Sequence, residues 1–225
     1  MCRMNVAKVY LDTNVLKFAA TELPRLLPRK QSLDWGGKTI EVTVHDFVEI
    51  NPNKSIENPE LKAEAELLPR LAEIGKLGEI KYVMNFETLE ESWGLRNMDS
   101  KNGRFYGAAI DVVKAPFEYG RTVAGGGVKP KERQFHFLAS VRHPRFLELQ
   151  RMTGAYQGEQ KLNRNQLLDA FHIWCAEHNG CEFFLTLDFK LIKVLRLSPA
   201  KSTVRPVRPS ELLAWLGQAD REGNA

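Results

Sequence analysis

Hydrophobic and polar positions change period repeatedly along the chain, and each change marks a short element. Val6 to Leu11 is an apolar run that gives way to Asp12-Thr13-Asn14, the pattern of a short buried strand ending in polar residues. Val15 to Leu27 reads as a helix stopped near Pro28. Thr39 to Ile50 is β-branched and partly alternating, which predicts a strand or hairpin arm ended by Asn51-Pro52-Asn53. Over Pro59 to Lys76 the residues Leu61, Ala65, Leu68 and Ala72 keep helical spacing, Pro69 is expected to bend the helix, and Gly75 and Gly78 to close it. A strand over Ile80 to Met84 leads through Asn85 into a helix from Thr88 to Leu95, whose opening Thr88-Leu89-Glu90-Glu91 fits a capping box.

Residues 97–160 carry the weakest pattern. Gly125-Gly126-Gly127 and scattered prolines predict a largely irregular insert with a helix near Pro144 to Thr153, not an independent domain. From Asn163 the pattern sharpens: Leu167, Leu168, Phe171, Trp174, Cys175 and His178 form an apolar stripe that Asn179-Gly180 ends. A strand follows over Phe183 to Leu187, ending at Asp188. A short helix over Phe189 to Leu195, a strand over Val204 to Val207 and a helix over Pro209 to Leu216 complete the chain. Strands alternating with helices imply an α/β fold, a mainly parallel sheet covered on both faces, with ligands gathering at the carboxyl ends of the strands.

Composition narrows the class. The chain has 225 residues, 43% hydrophobic and 27% charged, enough to bury a core as one elaborated domain and unlike a disordered chain. No apolar run reaches the roughly 18 residues of a spanning helix. Lys8 and Asp12 interrupt the first twenty positions, so no membrane is expected and a cytoplasmic location is. Cys2, Cys175 and Cys181 show no CxxC spacing, so neither a disulfide framework nor a thiolate metal site is expected.

The net charge of +4 is unevenly spread. Residues 121–164 hold nine Lys or Arg against three Glu, and residues 189–210 hold six bases and no acid. Lys129, Lys131, Arg133, Arg142, Arg145 and Arg151, interleaved with Phe135, His136, Phe137, His143, Phe146 and Tyr156, suit a phosphate backbone with unpaired bases. The competing reading is a solvated face with core aromatics. Against this, Asp12 and Asp188 each stand where a buried strand ends, and Asp169 interrupts an apolar helix. A lone buried carboxylate shifts its pKa or takes a cation, and several converging imply a divalent ion. Oxygen ligands of this kind suit Mg²⁺ or Mn²⁺ and in-line phosphoester hydrolysis. Taken singly, Asp12 and Asp188 are also ordinary helix caps.

At these residues the sequence resembles the PIN-domain nucleases. Val9-Tyr10-Leu11-Asp12-Thr13-Asn14-Val15 is similar to that family's opening strand and first metal-binding aspartate, Leu168-Asp169-Ala170-Phe171-His172-Ile173 to its acidic helix, and Phe184-Leu185-Thr186-Leu187-Asp188 to its threonine-x-aspartate strand end. Val204 to Leu216 resembles its closing strand and helix, and the likeness spans about residues 6–96 and 163–216. It implies a single PIN-like domain over 1–225, a three-layer α/β/α sandwich with the insert at about 97–160. It also implies a metal-dependent endoribonuclease in which Asp12, Glu91, Asp169 and Asp188 hold Mg²⁺ or Mn²⁺ and carry catalysis, with Thr13, Asn14 and Thr186 orienting them. Glu91 is chosen as the second acid because that family places it early in the helix after the second sheet strand; Glu90 and Glu49 are the alternatives, and a plain capping box is the competing reading of Glu91.

The resemblance favours RNA over DNA as the partner. It also admits an antitoxin-like or other protein partner and an oligomer, although the long insert sets the chain apart from the small toxin members. A catalytically inactive PIN-like scaffold that binds RNA or protein is the alternative function. A haloacid-dehalogenase-like phosphatase would need a second acid two positions after Asp12, where this chain has Asn14.

Overall fold

A computed structural model describes residues 6–19, 23–50, 56–93, 104–120, 128–155 and 162–222. The chain runs β1 (Ala7–Leu11), α1 (Thr13–Ala19), β2 (Leu23–Trp35), β3 (Lys38–Ile50), α2 (Pro59–Glu66), α3 (Leu68–Lys76), β4 (Ile80–Asn85) and α4 (Phe86–Trp93). After a 3₁₀ turn (Arg104–Gly107) come β5 (Ile110–Val113), α5 (Val128–Ser140), α6 (Pro144–Thr153), α7 (Arg164–His178), β6 (Phe183–Leu185), α8 (Phe189–Leu197), β7 (Arg205–Val207) and α9 (Pro209–Glu222). The central sheet has five parallel strands in the order β5-β4-β1-β6-β7.

The inner strands β4, β1 and β6 are buried on both faces, which is why they read as largely apolar runs. On one face Tyr10, Val83 and Phe184 pack with Leu138, Phe146, Leu149, Phe171 and Leu191 from α5 to α8. On the other, Val9, Leu11, Tyr82, Met84, Phe183 and Leu185 pack with Leu16, Leu71 and Leu212 from α1, α3 and α9. Each such side chain contributes about 1.5–3 kcal/mol on burial. The architecture is therefore α/β, a mainly parallel sheet with helices on both faces.

The structure departs from the sequence pattern in four places. The helix expected over Val15 to Leu27 stops at Ala19, and Leu23–Trp35 is instead a strand. Pro24 and Pro28 break a helix but are tolerated on a two-stranded ribbon, which is all edge. The helix over 59–76 divides at Leu67, where Pro69 lacks the N–H that would continue it. Gly75 lies inside α3 and is required by packing, because a Cβ there would stand 2.3 Å from the Tyr82 ring. Finally, the segment expected as an irregular insert contributes to the fold itself. Its β5 is an edge strand of the central sheet, and Leu138, Phe146, Leu149 and Met152 from α5 and α6 are buried in the core.

β2 and β3 form an arm of thirteen cross-strand pairs from Leu23↔Ile50 to Trp35↔Lys38. Its two-residue turn is Gly36-Gly37, with φ of 59° and 79°, the left-handed pair a type I′ turn requires. Arg29 pairs with Asp46 and Lys30 with Glu41 along it, while Leu33, Ile40 and the 76% exposed Trp35 face solvent. Among the described elements the arm packs chiefly against itself, and its ends stand roughly 5 Å apart as paired residues do. Replacing residues 23–50 by a short Gly-Ser turn is therefore expected to leave the five-stranded body folded, with a thermal midpoint within about 3 °C of wild type. Loss of cooperative unfolding by calorimetry would show that the arm is integral to the body.

Candidate active site at the switch point of the sheet

From β1 the chain builds outward through β4 and β5 on one side, then returns to place β6 and β7 on the other. The strand order thus reverses between β1 and β6, and it is outside the carboxyl ends of the strands at such a switch point that open α/β sheets form their ligand crevices. Asp12 follows β1 directly, Asp188 lies just past β6, Glu91 is carried by α4 after β4, and Asp169 by α7. The topology alone brings the four sequence-predicted acids to one edge.

Thr186 joins the two strand ends. Its hydroxyl donates to Asp12 Oδ2 at 2.6 Å and accepts from Asn14 Nδ2 at 2.9 Å and from the Asp188 backbone N–H at 3.0 Å. Asn14 Oδ1 in turn accepts from the Leu187 N–H at 3.0 Å. Asp188 Oδ1 accepts from the Leu191 N–H at 2.9 Å, capping α8. Thr13 Oγ1 donates to Glu91 Oε2 at 2.7 Å. The three short polar side chains singled out in the sequence therefore bond the acids or the turns that carry them.

Asn85 fixes the other two acids. Its Oδ1 accepts from the N–H and hydroxyl of Thr88 at 2.8 and 3.1 Å, and its Nδ2 donates to Cys175 Sγ at 3.0 Å. Tyr10, on β1, shares a hydrogen bond with Thr88 Oγ1 at 2.9 Å and accepts the Asn85 N–H at 3.3 Å. One buried asparagine thus ties α4, with Glu91, and α7, with Asp169, to the central strand. Helix α4 begins at Phe86, so Asn85, not Thr88, is bonded to its first turn, and Glu91 is not the third residue of a capping box.

The electrostatics record the convergence. Asp169, half-buried, has its carboxyl pushed up to about 8, first by burial and then by the charges of Asp12, Asp188 and Glu91. Asp12, buried, is also raised by burial, against the opposing effects of His172 and the Thr186 hydrogen bond and with a further push from Glu91. Glu91 is the glutamate whose charge acts on both Asp12 and Asp169. Glu90 is its neighbour on α4, and Glu49 pairs through its backbone with Pro24 in the arm, its side chain lying outside the described residues.

The donor set has the chemistry of a hard-cation site, since several carboxylates crowd one crevice and protonation of Asp169 is what relieves them without a cation. Among the described residues, however, no three His, Cys, Asp or Glu side chains stand as a ready-made cage. The pattern reading did not single out two other neighbours of Glu91. Arg164 NH2 lies 3.8 Å from Glu91 Oε1 and also donates to Gln134 Oε1. Gln134 Nε2 donates at 2.6 Å to the buried carboxylate of Glu87, which accepts from Tyr119 Oη at 2.9 Å. His172 Nε2 lies 3.9 Å from Glu91 Oε2. Its spacing of three from Asp169 was the available signal, because residues i and i+3 share a helix face.

The basic residues of the insert divide. Lys131, Arg133, Arg142 and Arg151 are exposed. Arg145 is spent within the fold, donating through Nε and NH2 to Glu177 at 2.8 and 2.6 Å and to the Lys201 carbonyl at 3.0 Å. Of the interleaved aromatics, Phe146 is buried and stacked on Trp174. The side chain of Lys129 and all of Tyr156 lie outside the described residues. A cleft of about 740 Å³ opens at the ends of β4 and β5, lined by Phe86, Val113, Lys114, Phe117 and Tyr119. No described helix is long and apolar enough to cross a membrane.

The raised carboxyl of Asp169 gives a signed pH dependence. Between the ordinary aspartate value of about 4 and about 8, the metal-free fold holds a proton that the unfolded chain has released. Stability from this group is full below the lower value and is lost as pH rises through the upper one. In EDTA, Asp169→Asn is expected to melt at or above wild type, with its advantage several degrees larger at pH 8 than at pH 5. An advantage that does not grow with pH, or a loss of stability at both, would place Asp169 in structural hydrogen bonds instead.

No protein-family model, curated protein or solved structure matches the chain, so the site is interpreted from its own residues and geometry.

Proposed function

We propose that this protein is a metal-dependent nuclease of the PIN-like kind, an endoribonuclease that hydrolyses phosphodiester bonds at the crevice between β1 and β6. The observation that carries this reading is the placement of Asp12, Glu91, Asp169 and Asp188 at one edge of the sheet, where burial first, and the charges of Asp12, Asp188 and Glu91 after it, push the Asp169 carboxyl up to about 8. Asp12, Glu91, Asp169 and Asp188 would hold Mg²⁺ or Mn²⁺. Such an ion supplies charge neutralisation at the phosphate and a lowered pKa for the attacking water.

The chain's own residues do the rest. Thr186 turns Asp12 by a short hydrogen bond and is itself locked by Asn14. Thr13 fixes one oxygen of Glu91. Lys131, Arg133, Arg142 and Arg151 offer exposed cations for the substrate backbone. The cleft lined by Phe86 and Lys114 starts on the same helix as Glu91, about a turn and a half before it. An aromatic face beside a cation there suits an unpaired base and its phosphate. The alternative, a catalytically inactive scaffold that binds RNA or protein, draws its support from the lack of a preassembled trio of ligands among the described residues.

The test incubates wild type and Asp12→Asn with RNA and with single-stranded DNA, in Mg²⁺, Mn²⁺ or EDTA. Cleavage by wild type, abolished by EDTA and reduced at least ~10²-fold in the variant, is the expected result. Salt-sensitive binding without cleavage would select the scaffold, and equal cleavage by both proteins would reject the assigned site.

A further inference from the structure

His172 is a buried polar side chain that the reading above leaves unused. It lies in the middle of α7, 1% exposed, and neither ring nitrogen has a hydrogen-bond partner. Buried side-chain polar atoms nearly always have one, because a bare donor or acceptor loses its hydration without return. A histidine kept only for its bulk would leave that cost standing where a phenylalanine or leucine would not.

The direction of the ring is informative. One side of the imidazole meets Tyr10, the ring centroids 6.1 Å apart and tilted by 34°. Nε2 faces Glu91, 3.9 Å from Oε2. The unpartnered nitrogen therefore looks into the acidic crevice from the same helix face as Asp169.

The 3.9 Å gap to Glu91 is too long for a hydrogen bond. It falls between the tetrahedral and the opposite-ligand spacings around one shared cation, so Glu91 would have to turn toward the ring to become its neighbour in an octahedron. Two donors each about 2.1 Å from one ion stand roughly 3.0 Å apart when adjacent in an octahedron, 3.4 Å in a tetrahedron and 4.2 Å when opposite. Thr13 bonds the same Oε2 at 2.7 Å, which uses one of the lone pairs of that oxygen and leaves it a second, while Arg164 approaches Oε1 at 3.8 Å.

We infer that His172 Nε2 is a nitrogen ligand of the site, sharing a cation with Glu91, and that the site selects a first-row transition dication such as Mn²⁺ over Mg²⁺. This rests on the metal-dependent reading of the acidic crevice. Selectivity follows from the donor: Mg²⁺ keeps to oxygen and gives up water reluctantly, whereas an imidazole adds affinity for transition dications. The remaining histidines near α5 to α7, at 136, 143 and 178, are exposed, so a buried nitrogen ligand identifies His172.

The experiment is pulsed electron paramagnetic resonance on the full chain loaded with substoichiometric Mn²⁺, with ¹⁴N- or ¹⁵N-histidine, alongside titrations of Mn²⁺ and Mg²⁺ by calorimetry. Wild type is expected to show modulation from a directly bound histidine nitrogen, shifting with the isotope. His172→Gln is expected to lose it and to bind Mn²⁺ at least ~10-fold more weakly, with Mg²⁺ binding changed less than about twofold. Should that variant not fold, the isotope-labelled wild type still decides the question. Mn²⁺ bound in an Asp12-dependent way without nitrogen coupling, or coupling unchanged in His172→Gln, overturns the assignment and leaves the acidic site standing. No Asp12-dependent binding of either ion overturns both.

Discussion

A hydroxyl with one proton to give ties together the turns that follow the two central strands, β1 and β6, past the end of their backbone ladder. Two of the neighbours of Thr186 Oγ1, the Asn14 amide and the Asp188 backbone N–H, can only donate, so its proton must go to Asp12. The direction of every bond in the set is thereby fixed. A net hydrogen bond is worth about 0.5–1.5 kcal/mol, and a buried group left without one costs about 1–3 kcal/mol. That bond keeps a buried aspartate poised at the mouth of a crevice, and the β1 and β6 turns cannot shift against each other without breaking it.

The parts of the fold legible in the sequence are those whose signal is local. β1 and β6 are buried on both faces, so apart from Lys8 they read as apolar runs, and the polar residue ending each is conspicuous. α7 announces itself through Asn163, whose side chain accepts from Asn165 and Gln166, and through the stripe behind it. The illegible parts depend on distant partners. Leu23–Leu27 continues a helical spacing, yet its structure is set by residues 46–50 across a thirteen-pair ladder. β5 is four residues at a sheet edge, with Asp111 and the 52% exposed Val112 facing outward, and so lacks any apolar run to detect. The start of α4 was displaced by two residues because Thr88 imitates a cap that Asn85 supplies.

The acids show the same division. Asp12 and Asp188 are visible as strand ends and Asp169 as an interruption, whereas the choice of Glu91 needed the helix it sits on. The segment that looked like an appendage proves connected to that glutamate. Tyr119 and Gln134, both from it, hold the buried carboxylate of Glu87, and Gln134 also steadies Arg164 against Glu91. Glu87 and Glu91 are one helical turn apart, so the same helix is gripped from the added segment at one turn and from the start of α1, through Thr13, at the next. The segment is thus a structural support of the crevice as well as a carrier of exposed cations.

The four acids are not equally constrained, and that bears on how the crevice would accept a cation. Asp12 is locked by Thr186, and Asp188 is committed through one oxygen to the cap of α8. Glu91 is bonded through one oxygen, with Arg164 and His172 nearby at 3.8 and 3.9 Å but not bonded to it. The carboxyl of Asp169 is pushed up by burial and then by the other three acids. A cation held here would meet one rigid pair of carboxylates at the strand ends, where Thr186 holds them, and a less constrained pair in Glu91 and Asp169. A site built this way needs no ready-made cage in the metal-free fold, because its rigid half fixes the position and its adjustable half supplies the closure.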